Sequence, residues 1–107
     1  MVGRKYLRFW IEPSKEISMC TMIAKQVDVI GSGKAGTGWF RVDLASVSYD
    51  HPFNVPLEYA LNIDFTSQAA GPAARVAVEL DAESARKLVE VIQEVMRQAE
   101  AGGFVEG

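Results

Sequence analysis

The hydrophobic pattern of this chain changes its period once, at Asp81, and that change limits the folds available to it. Upstream of Asp81, apolar residues alternate with polar ones, which is typical of strands that bury one face. Downstream, they recur at spacings of three and four, which predicts an amphipathic helix of about five turns. The residues of this helical stripe are Ala85, Leu88, Val89, Ile92, Val95, Met96 and Ala99. The chain is therefore expected to be an α+β protein.

Four segments carry the strand pattern. It is cleanest at residues 57–66, where every second residue is apolar and most of these are large. Residues 75–80 alternate in the same way, and a turn at residues 67–73 makes the two segments a hairpin. Residues 21–30 and 39–50 also have strand character, so the sequence predicts a four-stranded antiparallel meander.

The segment at residues 39–50 carries an irregularity. Its alternation changes phase between Leu44 and Val47. Because an extra residue in one strand shifts the side chains that follow to the other face, this predicts a β-bulge near Ala45-Ser46.

The helix has clear signals at both ends. Asp81 is a good N-cap residue, Glu83 complements the helix dipole in the first turn, and Gly102-Gly103 supplies the glycine C-cap. The expected architecture is a two-layer, four- to five-stranded antiparallel meander with one long C-terminal helix packed on one face. The other sheet face must then be solvated, paired with another chain, or used as a binding surface.

Residues 1–18 differ from the rest of the chain and are expected to form an N-terminal extension. Leu7, Phe9 and Ile11 alternate with polar or amphipathic residues, which favours an extra edge strand. The alternative is a non-native or alternatively translated extension ahead of an internal start at Met19. The single α+β domain is then expected at residues 19–101, followed by a C-terminal tail at residues 102–107.

Composition excludes several functional classes. The 107 residues suffice for one domain, and the net charge of −3 divides into +2 for residues 1–18 and −5 for the remainder. An acidic body argues against nucleic-acid binding. No apolar run approaches the ~20 residues that cross a bilayer. One Cys excludes a disulfide scaffold, so a cytoplasmic protein is expected.

The segment Gly31-Ser32-Gly33-Lys34-Ala35-Gly36 fits the letters of a dinucleotide-binding motif. That motif needs a helix directly after it, whereas strand character follows here, and Ala35 stands where a P-loop needs Ser or Thr. The segment is therefore expected to be a flexible hairpin connection. The functional alternative is an anion-binding nest that includes Lys34. No cofactor is predicted.

His51 follows Asp50 in a loop that contains two prolines. Such a pair can act as a general base with Asp50 orienting the ring, and an imidazole is also a common metal ligand. The structural alternative is that His51 anchors the loop by a hydrogen bond to a backbone carbonyl.

Cys20 is the only thiol in the chain. If translation began at Met19 and that residue were removed, Cys20 could be an N-terminal nucleophile. In the chain as it stands, a buried Cys acting as a small hydrophobe is the alternative. A metal site would need Cys20, His51 and a carboxylate from distant segments, so none is predicted.

Asn62 and Asp64 are expected on the polar face of their strand, with Arg75 opposite Asp64 on the next strand. A cross-strand ion pair is one explanation of this arrangement. The other is a shallow ligand-binding pocket formed by Asn62, Asp64, Arg75 and Glu79. Lys34 is a further candidate ligand-binding residue.

The aromatic residues Trp10, Trp39, Phe40 and Phe53 exceed what a one-sided core of this size hides easily. They either pack in the core or form an apolar patch for self-association. A homodimer or larger homo-oligomer is therefore the expected assembly, with a further protein partner as a second expectation.

Several motifs together resemble one family of small bacterial proteins of unknown function, which typically begin Met-Cys-Thr. In this chain they are Met19-Cys20-Thr21, Gly31-Ser32-Gly33-Lys34, Asp50-His51-Pro52-Phe53, Ala60-Leu61-Asn62-Ile63-Asp64-Phe65, and the Gly71-Pro72 turn into Arg75-Val76-Ala77-Val78-Glu79-Leu80. The resemblance runs from Met19 to about Ala101 and implies no established activity. The leader before Met19 is a departure from the family pattern.

The functional expectation is a small self-associating binding or accessory subunit in the cytoplasm, without nucleic-acid or membrane partners. The alternative is a small cofactor-independent or metal-dependent enzyme that uses His51 with Asp50 and Cys20.

Overall fold

A computed structural model describes residues 23–106. Four strands, β1 (Ile23–Ala35), β2 (Gly38–Asp50), β3 (Ala60–Thr66) and β4 (Arg75–Leu80), precede one helix, α1 (Ala82–Ala101). The strands form one open antiparallel sheet in the order β1-β2-β3-β4, so the predicted α+β meander is confirmed. The proposed fifth strand within residues 1–18 lies outside the described residues.

Strand register gives the sheet two chemically different faces. Alternation along paired strands brings the apolar residues of neighbouring strands into rows on one side. We call this side the apolar face, and its residues include Ile23, Val27, Ala45, Val47, Tyr49, Leu61, Ile63, Phe65, Val76, Val78 and Leu80. The opposite side, here the polar face, carries Ser46, Ser48, Asn62, Asp64, Ala77 and Glu79.

The third strand begins later than the alternation predicts, at Ala60 rather than Leu57. Upstream of Ala60 the chain turns on itself, since the Leu57 N–H donates to the Val55 carbonyl at 2.8 Å. Pro56 lies between these two residues and cannot donate to a sheet ladder. Local alternation therefore continues into a loop that spans residues 51–59, which we call the His51 loop.

The glycine-rich segment does join two strands of a hairpin, as expected, but most of it belongs to the strand and not to the connection. β1 continues through Gly31 and Lys34 to Ala35, and only Gly36 and Thr37 lie between β1 and β2. Gly38 directly after this turn has a φ of 119°, a conformation that a residue with a Cβ rarely adopts.

The β-bulge lies in β1 rather than at Ala45-Ser46. Register is continuous from Ile23 to Asp28 and resumes at Gly31 opposite Val42, so Val29 and Ile30 share the space opposite one β2 residue. Val42 and Ala45, three residues apart, are both buried, so β2 changes phase between them. The predicted place, between Leu44 and Val47, is wrong, since β2 pairs with β3 there without interruption. The extra residue responsible for the irregularity is therefore on the neighbouring strand.

The end of the β1–β2 hairpin curls toward β4 at the far edge of the sheet. A Cβ placed on Gly33 would lie 3.1 Å from Val42 Cγ2 and 3.4 Å from Val76 Cγ2. A cavity of about 430 Å³ lies here, lined largely by apolar residues that include Trp39 and Phe65. Gly33 therefore permits a close approach between the first and last strands.

Replacing Gly33 by leucine is expected to lower the free energy of unfolding by about 1–3 kcal/mol, because the side chain would overpack Val42 and Val76. Gly31→Leu is the matched control, since a Cβ there would meet no atom of the described chain within 4 Å. Thermal unfolding measures both variants, and equal melting temperatures would contradict the predicted contact.

Both predicted ends of the helix are confirmed. The Asp81 carboxylate accepts from the Ser84 N–H at 2.8 Å, as an N-cap should, and the pKa of Asp81 is lowered by its hydrogen bonds with Ser84. At the other end, Phe104 N–H donates to the Ala99 carbonyl and Gly103 N–H to the Glu100 carbonyl. With Gly103 at a φ of 77°, this is a Schellman motif.

The helix covers less of the sheet than a two-layer domain normally requires. Its first turns lie beside Tyr49 and Leu61, where Ala82 and Ala85 are half-buried. No residue of α1 is buried against the described part of the chain. The expected packing on one face is therefore limited to the start of the helix, and most of the apolar stripe remains exposed.

Candidate functional site

A cavity of about 420 Å³ opens on the polar face of the sheet, at the end where the His51 loop meets β4. Six of the residues predicted for a site line it together, namely Asp50, His51, Asn62, Asp64, Arg75 and Glu79. Ser48 and Phe53 also contribute to its wall. We call this cavity the polar cavity.

Glu79 fastens the His51 loop to β4. Its carboxylate accepts three backbone N–H groups, from Phe53 at 2.7 Å, Val55 at 2.9 Å and Asn54 at 3.0 Å. Hydrogen bonds to an ionised acceptor are shorter and stronger than bonds between neutral groups. One side chain therefore holds three consecutive residues of a loop that is more than twenty residues away in sequence.

The same contacts change the acidity of Glu79. The backbone N–H groups of Val55, then Phe53 and Asn54, donate to its ionised form and hold the pKa below its ordinary value of 4.5. Glu79 is therefore ionised at neutral pH.

Asp64 and Arg75 form the predicted cross-strand ion pair. Arg75 Nε and one terminal nitrogen both approach Asp64 Oδ1, at 2.9 Å and 2.8 Å. Register pairs Asp64 with Ala77, so Arg75 reaches its partner diagonally across the strands. Both side chains remain partly exposed, and such a pair contributes little stability.

The carboxylate of Asp50 bonds to the backbone of its neighbour. Asp50 Oδ1 accepts from the His51 backbone N–H at 2.7 Å. The His51 ring is held instead by the Glu58 carbonyl oxygen, 2.8 Å from Nδ1. Since a carbonyl oxygen can only accept, Nδ1 carries the proton in this bond. The contact is the loop anchor that the sequence offered as the structural alternative.

The His51 ring also belongs to an aromatic stack. Its centroid lies 4.7 Å from that of Tyr59, with the planes 24° apart, and the Tyr59 centroid lies 6.1 Å from that of Tyr49. Tyr49 stands on the apolar face, opposite Leu61. The stack therefore connects the His51 loop to the apolar side of the sheet.

A comparison of two substitutions separates the contributions of this ring. His51→Ala removes the stack and the bond to Glu58, and it is expected to lower the free energy of unfolding by about 1–2 kcal/mol. His51→Phe keeps an aromatic ring against Tyr59 and should recover about half of that loss. Chemical denaturation followed by circular dichroism measures both, and equal losses for the two variants would show that stacking does not stabilise the loop.

Asn62 helps to shape the floor of the polar cavity. Its side-chain amide donates to the Ala60 carbonyl at 3.2 Å and lies 3.5 Å from the Asp50 carbonyl. Ala60 beside it is fully buried. The side chains of Asn62 and Ser48 both line this cavity.

Two predicted site residues are not part of this cavity. Lys34 lines the apolar cavity at the end of the β1–β2 hairpin. Cys20 lies outside the described residues. Within residues 23–106, no group of three or more His, Cys, Asp or Glu side chains is placed to hold a metal ion. The arrangement around the polar cavity is therefore suited to hydrogen bonding and to ion pairing.

Some contacts at the site have no signal in the sequence. The Glu58 carbonyl acts through its backbone, which any residue could provide. Tyr59 is visible in the sequence only as a member of an alternating strand pattern, although its ring stacks on His51.

Helix α1 is also not a membrane span, since no helix in the described part of the chain is long and apolar enough to cross a bilayer. Comparison with curated proteins and with solved structures found no match. A family model does match residues 19–105, a range that contains every motif on which the resemblance rests. The expected family relationship is confirmed, and the chain belongs to the family of unknown function DUF6295.

Proposed function

We propose that this protein is a self-associating binding or accessory subunit, in which a second copy covers apolar surfaces that one chain leaves exposed. The observation that carries the proposal is the apolar stripe of α1. Leu88, Val89, Ile92, Val95 and Met96 share one side of the helix, and each is 42–58% exposed. An amphipathic helix gains most of its stability by packing that side against another surface.

The apolar face of the sheet is incompletely covered as well. Ile23, Val27, Val47, Tyr49 and Val78 are each 36–64% exposed. A sheet with one apolar and one polar face normally packs the apolar one against a second layer. Within residues 23–106, two apolar surfaces are therefore left without a packing partner, and a second copy would cover both.

The size of these surfaces suits a dimer. The ten exposed side chains of the stripe and the apolar face are large hydrophobic residues. If each offers on the order of 80 Å², the set supplies about the ~800 Å² that one partner buries in a standard interface. The radius of gyration, 17.0 Å, also exceeds the ~13 Å of a compact domain of about 100 residues, as expected for one half of an assembly.

Self-association through the apolar surfaces leaves the polar face accessible. The polar cavity on that face keeps Ser48, Asn62 and the Asp64–Arg75 pair at its wall. We propose this cavity as the place where a small polar ligand or a further protein binds to the assembled subunit.

Sedimentation velocity of the full chain over a wide concentration range tests the proposal. The monomer mass is 11.7 kDa, and we expect a species of twice that mass to predominate at the higher concentrations. A single species of monomer mass at every concentration would rule out self-association.

A further inference from the structure

We infer that the dimer is reciprocal, with α1 of each copy lying across the apolar face of the sheet of the other copy. This inference rests on the proposed self-association and assigns the geometry of its interface.

Both exposed apolar surfaces, the stripe of α1 and the apolar face of the sheet, need to be covered. If two helices paired with each other, the exposed residues on the apolar face, such as Val47 and Val78, would stay in water. If two sheets paired face to face, the stripe around Ile92 would stay exposed. A twofold axis that places each helix on the other sheet covers both surfaces of both copies.

The connection between β4 and α1 is too short to let the helix fold back easily over its own sheet. Leu80 ends the strand, Ala82 begins the helix, and Asp81 alone lies between them. Strand–helix connections in compact domains usually have about 2–6 residues, which allow the chain to reverse over its own sheet. With one residue, the start of the helix lies beside Tyr49 and Leu61 of its own sheet, and no residue of α1 is buried against the described part of the chain. Short connections of this kind favour the exchange of an element between copies.

The helix and the apolar face of the sheet also match in size. A helix of 20 residues is about 30 Å long and about 10 Å wide, and four strands at ~4.8 Å spacing accommodate one such helix.

Cross-linking between different chains tests this geometry. In a Cys20→Ser background, one variant carries Val47→Cys on the sheet and a second carries Ile92→Cys on the helix. After the two are unfolded and refolded together, a short bismaleimide should join them into a covalent heterodimer. The yield should be at least ~10-fold higher than when Glu90→Cys, on the opposite side of the helix, replaces Ile92→Cys.

The outcomes distinguish failure of the reciprocal geometry from failure of the proposed self-association. If the protein sediments as a dimer but Ile92→Cys alone cross-links as efficiently as the mixture, the helices pair with each other and the reciprocal geometry is wrong. A dimer in which the mixture gives no more product than the Glu90→Cys control also overturns it. A protein that sediments only as a monomer overturns both the inference and the proposed function.

Discussion

Replacing Ile92 by glutamate is expected to convert the proposed dimer into a monomer. Ile92 lies at the centre of the stripe formed by Leu88, Val89, Val95 and Met96. In the proposed assembly this position is buried against the second copy. A carboxylate there would lose its hydration without gaining a partner, which is costly.

The twofold symmetry of the proposed dimer would increase the effect. A substitution at an interface centre typically weakens binding by about 2 kcal/mol or more, and a symmetric interface contains each substitution twice. A loss of about 4 kcal/mol corresponds to roughly 1,000-fold weaker association. Sedimentation velocity should therefore show monomer at concentrations where the unchanged protein is a dimer.

Gln93→Glu is the matched control for this prediction. It adds the same charge to the adjacent, exposed helix position, which points away from the centre of the stripe. This variant is expected to remain dimeric. If Ile92→Glu and Gln93→Glu dissociated to the same extent, general charge repulsion would explain the result and the stripe would not be the interface. Circular dichroism of both variants shows whether the helix itself is retained.

Replacing Glu79 by glutamine is expected to release the His51 loop from β4. The substitution removes the ionised acceptor of three backbone N–H groups and leaves one weaker amide oxygen. The groups affected directly are the backbone amides of Phe53, Asn54 and Val55, which donate to this carboxylate. We expect their hydrogen exchange to accelerate by about 10-fold or more, because local opening of the loop becomes easier.

The same contact gives the loop a dependence on acid pH. The folded pKa of Glu79 lies below its ordinary value of 4.5, so its stabilising contribution is complete above that value. It is lost as the pH falls through the lower folded pKa, since protonation removes the charge that accepts the three bonds. Exchange at the three amides should therefore increase below about pH 4.5 beyond the ordinary effect of pH, and Glu79→Gln should lack this additional step.

Glu58→Gln provides the control for both measurements. Glu58 lies in the same loop but contributes its backbone carbonyl, to His51, rather than its side chain. The variant should leave the exchange of the three amides and its pH dependence unchanged. Equal protection in Glu79→Gln and in the unchanged protein would show that the loop is held by other contacts, such as the stack of His51 on Tyr59.

The elements with strong local signals were predictable. Asp81, Gly102 and Gly103 specify the ends of the helix through bonds to residues only a few positions away. The strand at residues 75–80 was likewise correct to the residue. Short-range hydrogen bonds and periodicity depend on sequence alone, which explains this agreement.

The glycine-rich segment shows where local reasoning fails. Glycines at this density usually indicate a turn, yet β1 continues through them because residues 31–35 pair with β2 beyond the bulge. The absence of a side chain at Gly33 matters for contact with Val42 and Val76, which are distant in sequence. No local pattern encodes such a contact.

The polar cavity was predictable in part. Asn62, Asp64 and Arg75 come together because hairpin register and alternation place them on one face. The hydrogen bonds from the loop to Glu79 were not predictable, because they depend on how residues 51–59 fold against a strand more than twenty residues away. The role of the Glu58 carbonyl was equally hidden, since backbone groups have no residue signature.

By itself, the sequence determined the α+β class, the four strands, the capped helix and the division of the sheet into two faces. These features follow from periodicity and from bonds between near neighbours. Only the tertiary structure decided how far the helix covers its own sheet. The direction of α1 after the single connecting residue Asp81 leaves its apolar stripe exposed, and that direction depends on backbone geometry at the strand–helix junction.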